Sequence, residues 1–251
     1  MKYFSKIAFI ICSITLLFNG GCKKLPTDTS LLVLNISPYY GSDSLILGKT
    51  YNLVGDSISF SRASFYISGM VLYATDGTPV SVPGYILFTP STGQNIITGS
   101  VPIGTYKSIS FNVGIDPTTN HADLATYTNG PLAIQSPAMH LATNADGYIF
   151  MAVEGSVDSA NNHLSPNKAF SYHLGLDSLL RTVNMPDHSV APYAAFNATG
   201  TKVLTINLIA DFSLFLQHVN VAQQSVTNST DNVPLASTLA TRVPGMFRYG
   251  N

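Results

Sequence analysis

SISFNVGI, residues 108–115, decides the fold: Ile109, Phe111, Val113 and Ile115 alternate with Ser108, Ser110, Asn112 and Gly114. A period of two is the pattern of a strand with one buried and one wetter face. The same alternation recurs in VLTINLIADFSL (203–214), where Leu204, Ile206, Leu208, Ala210, Phe212 and Leu214 share a face opposite Thr205, Asn207, Asp211 and Ser213. Further strands are predicted at 31–37, 57–73, 79–88, 147–155 and 167–174, and Asp76-Gly77 between two apolar runs predicts a hairpin. With no helices between them, these strands predict an all-β two-sheet sandwich with long loops rather than a parallel α/β sheet. One short C-terminal helix is expected after Pro234, with Leu235, Leu239 and Val243 on one face and Pro244 ending it. Residues 116–146 and 184–201 read as long loops, where function collects in compact domains. There is no internal repeat and no sign of a second domain.

The N-terminus reads as an export signal: Lys2 and Lys6, an apolar run from Ile7 to Phe18, then Asn19-Gly20-Gly21-Cys22. Small residues before a cysteine predict lipoprotein processing, the alternative being an ordinary secretory signal cut elsewhere. Residues 1–21 are then the signal peptide, Cys22 carries lipid, 22–30 form a polar tether and 31–251 form one domain. This places the domain in the bacterial cell envelope, held at a membrane by its lipid alone. Cleavage before Cys22 removes Cys12 and the lipid takes Cys22, which excludes disulfides and Cys-ligated metal from the mature chain. Charged residues make up 10% of the chain, against about 25% in ordinary domains. From Cys22 onward, 12 − 2 = 10 basic residues face 13 acidic ones, so no basic patch supports nucleic-acid binding.

Two segments carry a histidine in a strand-like setting: SPAMHLATNADGYIFMAVEG (136–155) and AFSYHLG (169–175). Met139, Gly147-Tyr148-Ile149-Phe150, Glu154-Gly155 and Tyr172-His173-Leu174-Gly175 resemble the copper-binding MbnP-like family, secreted bacterial β-proteins. The resemblance extends to Phe65-Tyr66-Ile67-Ser68, Pro102-Ile103-Gly104-Thr105-Tyr106, the strand from Phe111 to Asp116, Asn120, and PLASTLATRVPGMF (234–247). It implies a copper site built on His140 and His173, with Met139 as a sulfur donor, in a protein of copper acquisition or handling. One departure is firm. Family members can use a tryptophan oxidised to kynurenine as a ligand, and this chain has no tryptophan.

Read from the residues, His173 lies on the strand face opposite Phe170, Tyr172 and Leu174, and His140 sits in the loop entering the strand at Gly147. Imidazole suits copper, zinc and nickel, and a thioether at Met139 biases a site toward Cu(I). The plainer alternative is that each histidine only hydrogen-bonds loop backbone. His121, His163, His188 and His218 read as solvated. Glu154, the sole glutamate, either supports a histidine or caps a loop by accepting backbone hydrogen bonds; its residue context favours the cap. No nucleophile elbow, zinc helix or phosphate loop is present, so no enzyme is expected. A carboxylate pair of Asp116 and Asp146 is the weak exception. The rival function is a noncatalytic surface-binding module, presenting tyrosines such as Tyr39, Tyr40 and Tyr127 to a glycan or protein, or a structural sandwich without metal.

Overall fold

The computed structural model describes residues 28–53, 56–90, 95–141, 147–160, 165–189, 194–200 and 203–250. The signal peptide at 1–21, Cys22, most of the tether, Asp146 and His163 lie outside these residues. Two sheets face each other. A ten-stranded sheet runs, along its main path, from Arg181–Asn184 through Gly104–Val113, Asp56–Ala74, Ile149–Val157 and Lys168–Gly175 to Val226–Thr227. A five-stranded sheet orders Phe247–Tyr249, Leu204–Asp211, Thr29–Tyr40 and Asp43–Ser44, with Asn95–Pro102 also on Thr29–Tyr40. Thr29–Tyr40 and Leu204–Asp211 pair in parallel, Leu32 with Leu204 through Tyr39 with Asp211. The all-β sandwich expected from the alternation is the observed architecture.

The core between the sheets is rich in phenylalanine. Phe65 stacks on Phe88 with ring centres 4.7 Å apart, and Phe247 meets Phe111 edge-on at 5.1 Å. Such contacts add about 0.5–1.5 kcal/mol each beyond the area they bury.

The strands depart from expectation where local chemistry breaks the period. Leu204–Asp211 stops short of residue 214 because the Asp211 carboxylate accepts from Ser213 N and starts the helical turn Phe212–Phe215. The run 79–88 is two strands, Pro79–Val82 and Ile86–Phe88, parted at Pro83 and at Gly84 with φ +114°. The loop expected at 184–201 contains the strand Phe196–Ala198, and Asn95–Pro102 forms a further strand beyond those the alternation predicts. The hairpin at Asp76-Gly77 and the C-terminal helix, Val233–Arg242 capped by Asn232, are present.

A second, smaller apolar cluster lies outside the sandwich. The long loop after Gly104–Val113 carries the short helical turns Pro117–Asn120 and Leu124–Thr126, and it covers the outer face of the ten-stranded sheet. Leu124, Leu132, Met139 and Leu141 from this loop pack on Tyr66, Tyr148, Phe150 and Ala152.

Candidate metal centre

The strand Ile149–Val157 is buried on both sides over its first half. Met151 and Val153 face the main core, while Phe150 and Ala152 face the loop-covered cluster. Glu154 stands where that cover ends. Directly opposite it, on Asp56–Ala74, is Arg62.

A bulge puts Arg62 there. Phe60 pairs with Gly155 and Arg62 with Glu154, so Ser61 is an extra residue on its strand. Strict alternation would have sent Arg62 into the main core beside Phe60; the bulge turns Arg62 outward and Ala63 inward. Gly155 is required at this crossing, because a Cβ there would stand 1.9 Å from the Ser59 carbonyl oxygen.

On the other side of Glu154 lies the strand Lys168–Gly175, with Ser171 directly opposite and His173 opposite Ala152. His173 Nε2 donates to Glu154 Oε1 at 2.8 Å, with Ser171 Oγ 3.3 Å away. Arg62 Nη1 donates to the same carboxylate oxygen at 2.9 Å. Its Nη2 donates to the loop carbonyl of Ala138 at 2.7 Å and, longer, to that of Pro137 at 3.4 Å. The Arg62 side chain is 10% exposed and that of Glu154 29%. Burial alone pushes the Glu154 carboxyl up, but the hydrogen bonds from His173 and Arg62 and their charges outweigh it and hold the group below the ordinary glutamate range.

The loop cap expected of Glu154 is therefore corrected. A carboxylate only accepts, and this loop turns carbonyls toward the sheet, so the donor that secures it is Arg62. Tyr148 Oη and Tyr66 Oη do likewise, donating to the carbonyls of Leu132 at 2.7 Å and Pro131 at 2.9 Å. Burial, with Tyr127 and Tyr85 nearby, pushes the Tyr148 hydroxyl up to about 12, so it stays protonated as a donor.

His140 bridges to Tyr148 in a short antiparallel contact, with Leu141 N donating to Gly147 O and Ile149 N to Met139 O. Met139 and Leu141 point into the apolar cluster, so His140 between them faces the other way. Leu141 lies against Gly175, where a Cβ would meet Leu141 Cδ1 at 2.9 Å. The loop thus carries His140 past the strand that bears His173. Met139, 2% exposed, is not brought to His140's side.

Acceptors fix both neutral tautomers. His140 Nδ1 lies 3.1 Å from the Leu141 carbonyl oxygen, which can only accept, so its Nε2 carries the lone pair. His173 gives its Nε2 hydrogen to a carboxylate, leaving Nδ1 bare. Each histidine leaves one bare imidazole nitrogen, a donor type that suits copper, and that of His173 is oriented by a carboxylate. Among the described residues no group of three His, Cys, Asp or Glu converges.

Other expectations fare differently. His121 is exposed and pairs with Asp177 at 3.1 Å, and His218 is exposed. His188 is half-buried rather than free in solvent: Phe196–Ala198 brings Phe196 to stack on it at 4.4 Å, and Tyr249 meets it edge-on at 4.4 Å. Tyr40 packs edge-on against Phe60 at 5.1 Å, and Tyr39 and Tyr127 are half-buried, so these tyrosines form no free aromatic face. Asp116 caps Pro117–Asn120 and accepts from Tyr85. Sequence reasoning missed Arg62 and Ser229. The Ser229 hydroxyl donates to His173 O and accepts from Gly175 N, both at 2.7 Å, holding the strand through its irregular end. Arg62 did leave a signal, as the one charged residue inside the apolar run SISFSRASFYISGMVLYA (57–74).

A loop-covered sheet face with a histidine tied to a carboxylate and an arginine, on a two-sheet sandwich, defines an all-β protein with a candidate imidazole metal centre. The chain belongs to the MbnP family, whose model matches residues 29–232. Among solved structures, MbnP from Methylosinus trichosporium is similar in fold: TM-score 0.55, 14% identity, covering 75% of this chain and 78% of that one. No curated protein matches the sequence.

Proposed function

We propose that this chain is a non-enzymatic copper-binding protein of the cell envelope, anchored by lipid at Cys22 and serving in copper acquisition or handling. His140 and His173 hold the metal. The observation that carries this reading is the 2.8 Å hydrogen bond from His173 Nε2 to Glu154, which fixes the ring and leaves Nδ1 as the ligating atom. Family membership supports copper as the metal, and the lack of cysteine after residue 22 leaves no thiolate to compete. Met139 serves as packing beneath His140, its thioether turned into the apolar cluster. Metal analysis of the protein purified from the envelope without added copper tests the proposal. About one copper per chain is expected from two imidazole ligands, for which copper heads the divalent series. A folded, metal-free protein that takes up no copper favours the rival, a surface-binding or structural module.

A further inference from the structure

The outer face of the five-stranded sheet is divided in two. Leu32, Leu34 and Ile36 are wholly buried in the main core, so Leu31 and Val33 face outward. Val33 pairs with Ile97 on one side and Thr205 on the other. The parallel register carried one residue back sets Val203 beside Leu31. Leu31, Ile97 and Val203 are all exposed, Ile97 at 67%. The next row of the same face is entirely polar, with Asn35 between Asn95 and Asn207.

The apolar half lies at the end where the chain enters the domain. Thr29 pairs with Pro102, and exposed Ile103 donates its N–H to Asp28 O at 2.9 Å. From Cys22 to Asp28 is 28 − 22 = 6 residues, which span at most ~20 Å fully extended. A lipid on Cys22 therefore holds this end of the sheet close to the bilayer. Lys23 and Lys24 in the tether favour an anionic lipid surface.

We infer that the exposed apolar end of this face, Leu31, Ile97, Val203 and Ile103, rests on the lipid surface to which Cys22 is anchored. The inference rests on the anchor proposed above. A tether this short makes docking intramolecular, so a small patch suffices. Arg62, Glu154 and His173 occupy the outer face of the opposite sheet. Docking in this orientation turns the metal centre away from the membrane, toward the aqueous compartment.

The absence of tryptophan makes the test direct, since each substitution yields a single reporter. The full chain, processed in a bacterial envelope, is reconstituted as Ile97→Trp in vesicles of phosphatidylethanolamine and phosphatidylglycerol with brominated acyl chains. Ile134, 71% exposed on the loop over the opposite sheet, gives the control Ile134→Trp. Docking predicts blue-shifted, quenched emission at 97 and unshifted, unquenched emission at 134. Mass spectrometry of the same samples reads the acylation of Cys22. Acylated protein with unquenched emission at 97, or equal quenching at both positions, overturns the docking while leaving the anchor intact. A free thiol at Cys22 overturns the anchor and the docking together.

Discussion

The two apolar clusters of this protein differ in what covers them: one lies between two sheets, the other between a sheet and an irregular loop. Between the sheets the large side chains are mostly phenylalanines, Phe60, Phe65, Phe111, Phe170, Phe212 and Phe247 among them, set between strand ladders, although Tyr106, Tyr172 and Tyr249 there also donate to the carbonyls of Pro102, Gln224 and Pro186. Under the long loop the aromatic residues include Tyr66 and Tyr148, whose hydroxyls donate to loop carbonyls, as Arg62 does. A loop without regular structure must pair its buried carbonyls somewhere. Here side chains of the sheet supply the donors. The first cluster carries the stability of the fold, and the second sets the position of one loop, the loop that bears His140.

This contrast predicts unequal consequences. Phe65→Ala, in the main core, should cost ~3–5 kcal/mol and lower the denaturation midpoint of the whole domain. Loss confined to the loop would mean that the sandwich does not depend on this core. Arg62→Ala should cost less, ~1–3 kcal/mol, since it leaves Glu154 without its cation and the Ala138 carbonyl without a donor. Hydrogen exchange is the sharper readout. The amides of Leu141 and Ile149 should lose protection in Arg62→Ala, while those of Ile206 and Leu208 in the five-stranded sheet keep theirs. Uniform loss across both sheets would erase the distinction between the clusters.

The smallest effect is the pH dependence from Glu154. Its folded value lies below its unfolded one, so in the window between them the unfolded chain binds more protons. The stability it contributes is complete above the unfolded value, about 4.3 for glutamate, and is lost as pH falls through the lower folded value. Glu154→Gln should flatten the acid limb of a stability-against-pH curve. An unchanged limb would show that the carboxylate is not held by His173 and Arg62 in solution.

The two clusters were also unequally legible in the sequence. Alternation at 108–115 and 203–214 exposed the main core because each strand there has one buried face. Ile149–Val157 gave less, since Phe150 and Ala152 are buried by a loop that has no period to read. The family-like motifs placed His140 on the loop entering Ile149–Val157 and His173 on the neighbouring strand Lys168–Gly175, where they are. They could not place Arg62, which reaches the outer face only through the extra residue Ser61, and a bulge shifts register without marking the sequence. Nor could they show which way Glu154 would bond, because that depends on the loop presenting carbonyls. Likewise Ser229 meets His173 from 56 residues away, across a contact that no local pattern encodes.

Copper titration of the well-folded protein and its variants tests the central claim most directly. Wild type should bind copper near neutral pH and release it on acidification, because imidazole must be neutral to ligate. His140→Ala and His173→Ala should each weaken binding strongly. Glu154→Gln should weaken it by ~10–100-fold, as loss of a ligand's outer hydrogen-bond partner does, and the exposed His121→Ala and His218→Ala should leave it unchanged. Copper affinity that survives intact in the His140→Ala and His173→Ala double variant would contradict the account.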